Sequence, residues 1–354
     1  MIIDRKMSKR MNIWFGGIMA AVMMLAGCGG GETGVSVLQW NVWQEGTKVP
    51  GGYGAIVEEI ARLRPDFVTL SEVRNYGGVD FTGRLVDSLR ARGVTYYSFR
   101  SYDSGILSRH PLVDTATVFP ERDDHGSVYK AVVMVDGRRV AVYTAHLDWQ
   151  DCCYYNTRGL DGRTWKACDV PTDAGELLAM SDASLRDDAI RLFVEDARRE
   201  TEAGAAVVLG GDFNEPSHRD WVEENRDMYD HAGLVVKWTV TRLLEEAGFR
   251  DAYREVWPDP LACPGFTYPA WIDGVDPLRV TWTPRADERE RIDYVFVGGG
   301  GVSVARAAVF GPKASIVRGK RVEESSSDEF VEPQGVWPSD HKGVWVELRL
   351  GKNV

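Results

Sequence analysis

Eight polar residues stand in a fixed order at the edges of apolar runs. They are Asn41 in VSVLQWN, Glu72 in FVTLSE, His146 in VAVYTAH, Asp212 and Asn214 in AVVLGGDFN, and the late set Asp293, Asp340 and His341. A hard divalent cation takes oxygen ligands, carboxylates first and then amides or water, and this set holds carboxylates, amides and two imidazoles. A phosphoester anion repels a hydroxide nucleophile, so its cleavage calls for a cation on the phosphoryl oxygens and a base to make the nucleophile. Glu72 and Asp340 supply negative charge for the cation, and Asp212 is the candidate to position and deprotonate water. His341, as an imidazolium, would set positive charge against the phosphorus. His146 adds a second imidazole, a donor to phosphate or an acid toward the leaving oxygen. Each cluster alone has a structural explanation, such as a turn cap or a surface acid; the ordered set points to one site.

The elements that must carry these groups follow from periodicity. Val35 to Val42 alternates like a strand, and Tyr53 to Leu63 has helical spacing through Ile56, Ile60 and Leu63 before Pro65 stops it. Phe67 to Leu70 reads as a buried strand, residues 81 to 92 as a helix, and 105 to 108, 113 to 119, 128 to 135 and 140 to 145 as consecutive strands. Leu185, Ala189, Phe193 and Ala197 recur every four residues on a helix. Ala205 to Leu209 is apolar throughout, as a central strand would be. Thr239 to Ala247 reads as a helix, and strands are expected at 279 to 283, 292 to 297, 302 to 309 and 344 to 350. Strands near both ends with helices between them predict an α+β fold of two packed sheets covered by helices. Four of the polar clusters then sit just after strands, on one rim of loops.

The chain has 354 residues, 44% hydrophobic and 10% aromatic, which suits a single packed catalytic domain with insertions over 35 to 354. Its formal charge is −11. The first 28 residues carry four basic groups and one acid, leaving −14 for the remainder. Nonspecific grip on duplex nucleic acid rests on neutralising phosphates with a basic face, so this balance lowers a duplex nuclease reading and favours a compact substrate.

Residues 1 to 28 read as a leader. Lys6, Lys9 and Arg10 precede an apolar stretch from Ile13 to Ala26, too short to span a bilayer, and Leu25-Ala26-Gly27-Cys28 follows. This resembles a bacterial lipoprotein signal, in which Cys28 would be acylated; an ordinary secretory signal or a short anchor helix is the alternative. Residues 29 to 34 would form a glycine-rich tether. The expectation is an exported monomer held at a membrane by its lipid. Four cysteines remain, Cys152, Cys153, Cys168 and Cys263, and an oxidising compartment favours disulfides over zinc. Neighbouring Cys152 and Cys153 are strained partners for one another, so Cys168 is expected to pair with one of them.

The motifs QWNVW, LSEV, GILSRHPL, TAHLDW, GGDFNEP, RIDYVFV and SDHKGV, spread over residues 35 to 350, resemble the endonuclease/exonuclease/phosphatase superfamily. The superfamily includes pancreatic-type deoxyribonucleases, abasic-site endonucleases, neutral sphingomyelinases and inositol-polyphosphate phosphatases. The resemblance implies a four-layer αββα sandwich with Asn41, Glu72 and Asp340 around a magnesium or manganese ion. It also implies that Asp212 and Asn214 orient water or the scissile phosphate and that Asp293 partners His341. His146 stands where abasic-site endonucleases have tyrosine, and Glu290-Arg291-Ile292-Asp293 replaces the signature of inositol-polyphosphate phosphatases. A phosphodiesterase acting on a phospholipid head group, a sugar phosphodiester or nucleic acid is implied, with a phosphomonoesterase or a catalytically silent binding module as alternatives.

Arg109 is expected either to reach phosphate or to brace the sheet rim. Residues 148 to 181 form an insertion directly after His146, with three cysteines, Tyr154, Tyr155 and Trp165. Such a segment either overhangs the site and selects substrate, stiffened by disulfides, or is a surface decoration.

Overall fold

A computed structural model describes residues 32–351. Cys28 and the first tether glycines lie outside the described residues. The chain runs β1 (Thr33–Asn41), α1 (Gly52–Leu63), β2 (Phe67–Val73), α2 (Phe81–Arg90), β3 (Asp103–Ser108), β4 (Leu112–Phe119), β5 (Gly126–Val135), β6 (Arg138–Leu147), α3 (Ala174–Ser181), α4 (Arg186–Glu202), β7 (Ala206–Asp212) and α5 (Thr239–Glu246). It continues through β8 (Arg250–Asp251), α6 (Ala252–Val256), β9 (Asp293–Gly299), β10 (Val302–Phe310), β11 (Ala314–Val317), β12 (Lys320–Glu323), β13 (Phe330–Val331) and β14 (Gly343–Leu350).

Two six-stranded sheets result, ordered β13-β10-β14-β1-β2-β3 and β4-β5-β6-β7-β9-β8, with β11 and β12 as a separate hairpin. Each large sheet has a parallel pair near its middle, β1 with β2 and β6 with β7, flanked mostly by antiparallel partners. That mixture decides where the site can be. The parallel pairs bring four carboxyl ends to one rim, and the antiparallel β3, β9 and β14 begin at the same rim.

Alternation along the strands builds three apolar layers. In β1, Val35 and Val37 meet Val140, Val142 and Val208 between the sheets, while Leu38 and Trp40 face Ile56, Ile60 and Leu85 of α1 and α2. On the other side, Val207 and Leu209 of β7 pack against Ala189, Ile190 and Phe193 of α4. The order is helix, sheet, sheet, helix. A smaller cluster under the insertion joins Tyr154, Tyr155, Trp221, Trp238 and Tyr268. The sheets approach so closely at Gly210 that a Cβ there would lie 2.1 Å from Thr69 Oγ1, so only glycine fits.

Most strands start or end within two or three residues of where periodicity placed them. Residues 279 to 283 are not a strand: Pro277–Arg279 forms a single 3-10 turn and the chain then loops toward the site. A β-branched run without alternation carried that expectation, and Pro277 with its Asp276 cap favours the turn. The disulfide expectation also fails. Among the described residues all four cysteines are free thiols, and their sulfurs face other partners. Cys152 Sγ donates to the carbonyls of Trp149 and Asn214 at 2.9 and 3.4 Å, and Cys168 Sγ lies 4.0 Å from the Asn156 carbonyl.

What stiffens the insertion instead is a buried guanidinium. Arg186, 1% exposed, donates from Nη1 to the carbonyls of Asp148 and Gln150, both at 2.7 Å, and from Nη2 to Asp151 O at 2.7 Å and Ser181 Oγ at 2.9 Å. It thereby clamps both ends of the segment from the first turn of α4. Arg158 ties the insertion's middle to the facing loops through the carbonyls of Tyr229 and Asp287 and the carboxylate of Glu290.

Candidate active site

The inner faces of the central strands change character toward one rim. On β1 the inward side chains read Val35, Val37, Gln39, Asn41; on β6 they read Val140, Val142, Thr144, His146; on β7, Ala206, Val208, Gly210, Asp212. Apolar contact gives way to hydrogen bonds that cross between the sheets. Ser71 Oγ donates to Ala145 O at 3.1 Å and accepts from Asp212 N at 3.2 Å, and Gln39 Nε2 donates to Asp293 Oδ1 at 3.3 Å. These buried bonds fix the two sheets' ends relative to one another, which is what a catalytic constellation needs.

The register then sets His146, Asp212 and Asp293 side by side on β6, β7 and β9. Asn41 Nδ2 bridges Asp212 Oδ2 at 2.9 Å and Glu72 Oε1 at 3.2 Å, while its Oδ1 accepts from Trp43 N at 2.9 Å. Glu72 sits on a bulge of β2 with φ 66°, which turns its carboxylate out of the pleat, and Oε2 accepts from Gln44 N at 2.7 Å. Left-handed backbone recurs around this rim at Trp43, Gln44, Glu45, Asp103 and Asn214. Such geometry costs of order 1–3 kcal/mol per residue and clusters at working sites.

Two aspartate–histidine pairs converge on Asp212. His341 Nδ1 meets Asp293 Oδ2 at 2.9 Å and its Nε2 lies 3.7 Å from Asp212 Oδ2. His146 Nδ1 meets Asp103 Oδ1 at 2.9 Å and its Nε2 lies 3.8 Å from the same oxygen. Asn214 Nδ2 is 3.2 Å from His146 Nε2 and donates to Leu147 O at 2.9 Å. Burial alone would depress both imidazoles. The adjacent Asp103 and the charge of Asp212 instead hold His146 up to about 9, and Asp293 with Asp212 holds His341 up to about 10. Both rings are imidazolium at neutral pH, with Nε2–H available to an anion. Burial, with the charge of Asp293 adding to it, raises the Asp212 carboxyl, while His341 and His146 oppose the rise.

For His146 the folded value lies above the ordinary 6.5, so the charged ring favours folding; that contribution is complete below pH 6.5 and drains away as pH rises to about 9. Replacing Asp103 by asparagine should therefore cost more melting temperature at pH 6 than at pH 9.5. The Arg74 contact at 2.9 Å contributes a part that does not vary with pH. Equal losses at both values would refute the pairing.

Glu72 and Asp340, which line the same pocket, are candidates to hold a divalent cation. Asp340 Oδ1 is buried with no hydrogen-bond partner. Burial, with the charges of Glu72 and Asp212 and against that of His341, pushes the Asp340 carboxyl up to about 8. A carboxylate left without donors among other carboxylates is a position short of positive charge. Asp212, Asp293 and His341 also place ligand atoms within 4.8 Å of one another, but Nδ1 of His341 is engaged by Asp293 at 2.9 Å, whereas Asp340 Oδ1 has no partner.

The pocket, about 260 Å³, is walled by Glu72, Asp212, Asp340 and His341 on its polar side and by Trp149, Trp165 and Trp282 on its apolar side. Thus the structure brings Asn41, Glu72, His146, Asp212, Asn214, Asp293, Asp340 and His341 to one place. Arg109 it does not. That side chain is 46% exposed beyond the far end of β3, 3.7 Å from Asp66. It braces the opposite rim, because β3 enters at the site with Asp103 and leaves away from it. Asp103, Gln39 and Arg74 also belong to the site; Asp103 lies two residues before the strand that the apolar run 105 to 108 predicts, at the observed start of β3.

The endonuclease/exonuclease/phosphatase family model matches residues 38–341. The chain belongs to this family. It is 26% identical over 318 residues to an uncharacterized protein of Caenorhabditis elegans, covering 89% of this chain and 91% of that one. Among solved structures it is similar to an endonuclease/exonuclease/phosphatase from Bacteroides vulgatus, with TM-score 0.51, 15% identity and coverage of 90% and 99% of the two chains. It is also similar to D. rerio TDP2 complexed with a single-strand DNA product, with TM-score 0.50, 16% identity and coverage of 89% and 99%. These likenesses are of fold, and members of the family are metal-dependent phosphoester hydrolases.

Proposed function

We propose that this protein is a divalent-metal-dependent phosphodiesterase, exported and tethered through Cys28, acting on a compact phosphodiester in preference to duplex nucleic acid. The convergence of two aspartate-held imidazoliums on the buried carboxylate of Asp212, opposite Glu72 and Asp340, carries the reading.

Asp212 takes the proton of the attacking water. Burial raises its affinity for a proton, in the direction a general base needs. Asn41 and the backbone N–H of Asn214, at 2.9 Å each, hold that carboxylate in one orientation. His341 and His146 present Nε2–H to phosphoryl oxygens as negative charge gathers, with Asp293 and Asp103 fixing their tautomers. A magnesium or manganese ion held by Glu72 and Asp340, with Asn41 orienting Glu72, would supply Lewis-acid charge to the phosphoryl group. The acidic balance of the chain supports a small substrate, and the basic, apolar and Leu-Ala-Gly-Cys order of the leader supports the tether.

Purified protein with magnesium or manganese is expected to hydrolyse bis(p-nitrophenyl) phosphate, and a chelator to abolish turnover and lower the melting temperature reversibly. Stabilisation should grow with cation concentration as binding to the folded state alone requires. Asp340→Asn should melt at or above the chelated wild type, because it removes a buried carboxyl whose charge is costly, and should gain nothing from the cation. Turnover that survives chelation would overturn the proposal.

A further inference from the structure

The aromatic wall of the pocket comes from three separate places in the chain. Trp149 follows β6, Trp165 lies within the insertion, and Trp282 lies on the loop after the 3-10 turn. Their rings form one row. Trp149 and Trp165 have centroids 5.8 Å apart with planes at 23°, and Trp165 and Trp282 are 4.4 Å apart at 32°. Tyr155 abuts Trp165 edge-on at 5.6 Å.

Each member is fixed. Trp149 Nε1 donates to Asp124 Oδ2 at 3.0 Å. Trp165 has left-handed backbone, φ 55°, and its N–H donates to Asp161 O at 2.8 Å, in a loop so tight that a Cβ on Gly162 would meet Cys152 O at 2.3 Å. Trp282 N donates to the buried Glu288 carboxylate at 3.1 Å. Yet Trp282 leaves 53% of its surface exposed, at the boundary between the catalytic pocket and a neighbouring cavity of about 630 Å³. An indole held rigidly by its backbone and left half bare beside charged chemistry is a surface waiting for a flat partner.

We infer that Trp149, Trp165 and Trp282 are specificity-determining residues that stack a planar aromatic substituent of the phosphodiester. This deepens the hydrolase reading and rests on it. Rings in a near-parallel row extend a stack by one more ring, whereas a quaternary ammonium is held by faces converging from several sides. The acid beside the row, Asp124, is already engaged by Arg74 at 2.5 Å and by Trp149, so it offers a cationic head group little.

Bis(p-nitrophenyl) phosphate and methyl p-nitrophenyl phosphate share a leaving group and differ only in an aryl or methyl second substituent. Wild type, Trp282→Ala and Trp282→Phe, all loaded with metal, are compared on both, with p-nitrophenyl phosphorylcholine as a third substrate. Stacking a ring on an aromatic side chain is worth about 5- to 100-fold. Trp282→Ala should lower the aryl-to-methyl ratio of kcat/KM by about tenfold, mainly through KM, and Trp282→Phe should retain it. An unchanged ratio, or a loss confined to the choline ester, overturns the inference while leaving the hydrolase reading intact. If none of the three is hydrolysed, the hydrolase reading fails; calorimetric binding of bis(p-nitrophenyl) phosphate to Asp212→Asn protein then decides this one, which stands if Trp282→Ala weakens binding and falls if it does not.

Discussion

Asp212→Asn is expected to lower kcat/KM for metal-dependent phosphodiester hydrolysis by about 10²–10⁴-fold, the range that loss of a positioned base produces. Two separate functions of the carboxylate are lost together. Asparagine accepts no proton from water, and it withdraws the negative charge on which both imidazoles depend. His146 and His341 lie 3.8 and 3.7 Å from Asp212 Oδ2, so each becomes a weaker cation and stabilises developing charge less. The fold should not suffer. Asparagine is nearly isosteric, its single oxygen can keep one of the two bonds that Asn41 Nδ2 and the Asn214 N–H give to the two oxygens of Asp212, and the exchange removes a buried carboxylate that burial and Asp293 make costly to ionise, which offsets the lost bond. A melting temperature within a few degrees of wild type, with turnover lost, is the expected pair of observations. Turnover within tenfold of wild type would remove Asp212 from the chemistry, and with it the central claim of the proposed mechanism.

Arg186→Met should have the largest effect on stability. Methionine fills much of the volume but leaves the carbonyls of Asp148, Gln150 and Asp151 and the Ser181 hydroxyl without their buried donor, and Glu215, 3.7 Å from Nε, without its counter-charge. Removing one side of a buried charged network costs about 3–5 kcal/mol, which in a domain this size is on the order of 10 °C in melting temperature. Limited proteolysis should find the first new cuts within residues 148 to 181, since the guanidinium is what holds both ends of that segment. A loss below about 1 kcal/mol would show that the insertion is held elsewhere, because that is the scale of a single ordinary hydrogen bond.

Much of this architecture was legible before any coordinates. Alternating apolar residues in β1 and the unbroken apolar run of β7 specify buried strands, because each must fill a layer on either face. Ile56, Ile60 and Leu63 specify α1 by spacing, and Arg64 in the left-handed region just before Pro65 ends it. The polar residues at strand ends were equally plain, since a side chain that breaks an apolar inner face needs a reason to be there. Gln39 carried the same signal as Asn41, two positions away on the same face. A single glutamine in a strand has many ordinary explanations, so this signal is weak on its own.

Other features had no local signal at all. Asp103 became the partner of His146 only when β3 was laid antiparallel to β2, with its start at the rim where β6 ends. Arg109, five residues beyond Ser104, was carried to the opposite side by the same strand. The cysteines suggest covalent staples, while the staple in fact is Arg186 in the first turn of α4, an arginine that carries no local sign of burial. The three tryptophans lie 16 and 117 residues apart along the chain, and nothing short of the folded loops could set them in one row.

The sequence by itself determined which residues line the inner faces of the strands and in what order polar replaces apolar along them, because side-chain alternation is a property of the extended backbone alone. Tertiary structure decided which of those ends meet. Strand order, direction and register depend on contacts between segments far apart in the chain, and it is these that set two imidazoles astride Asp212 and sent Arg109 to the far rim.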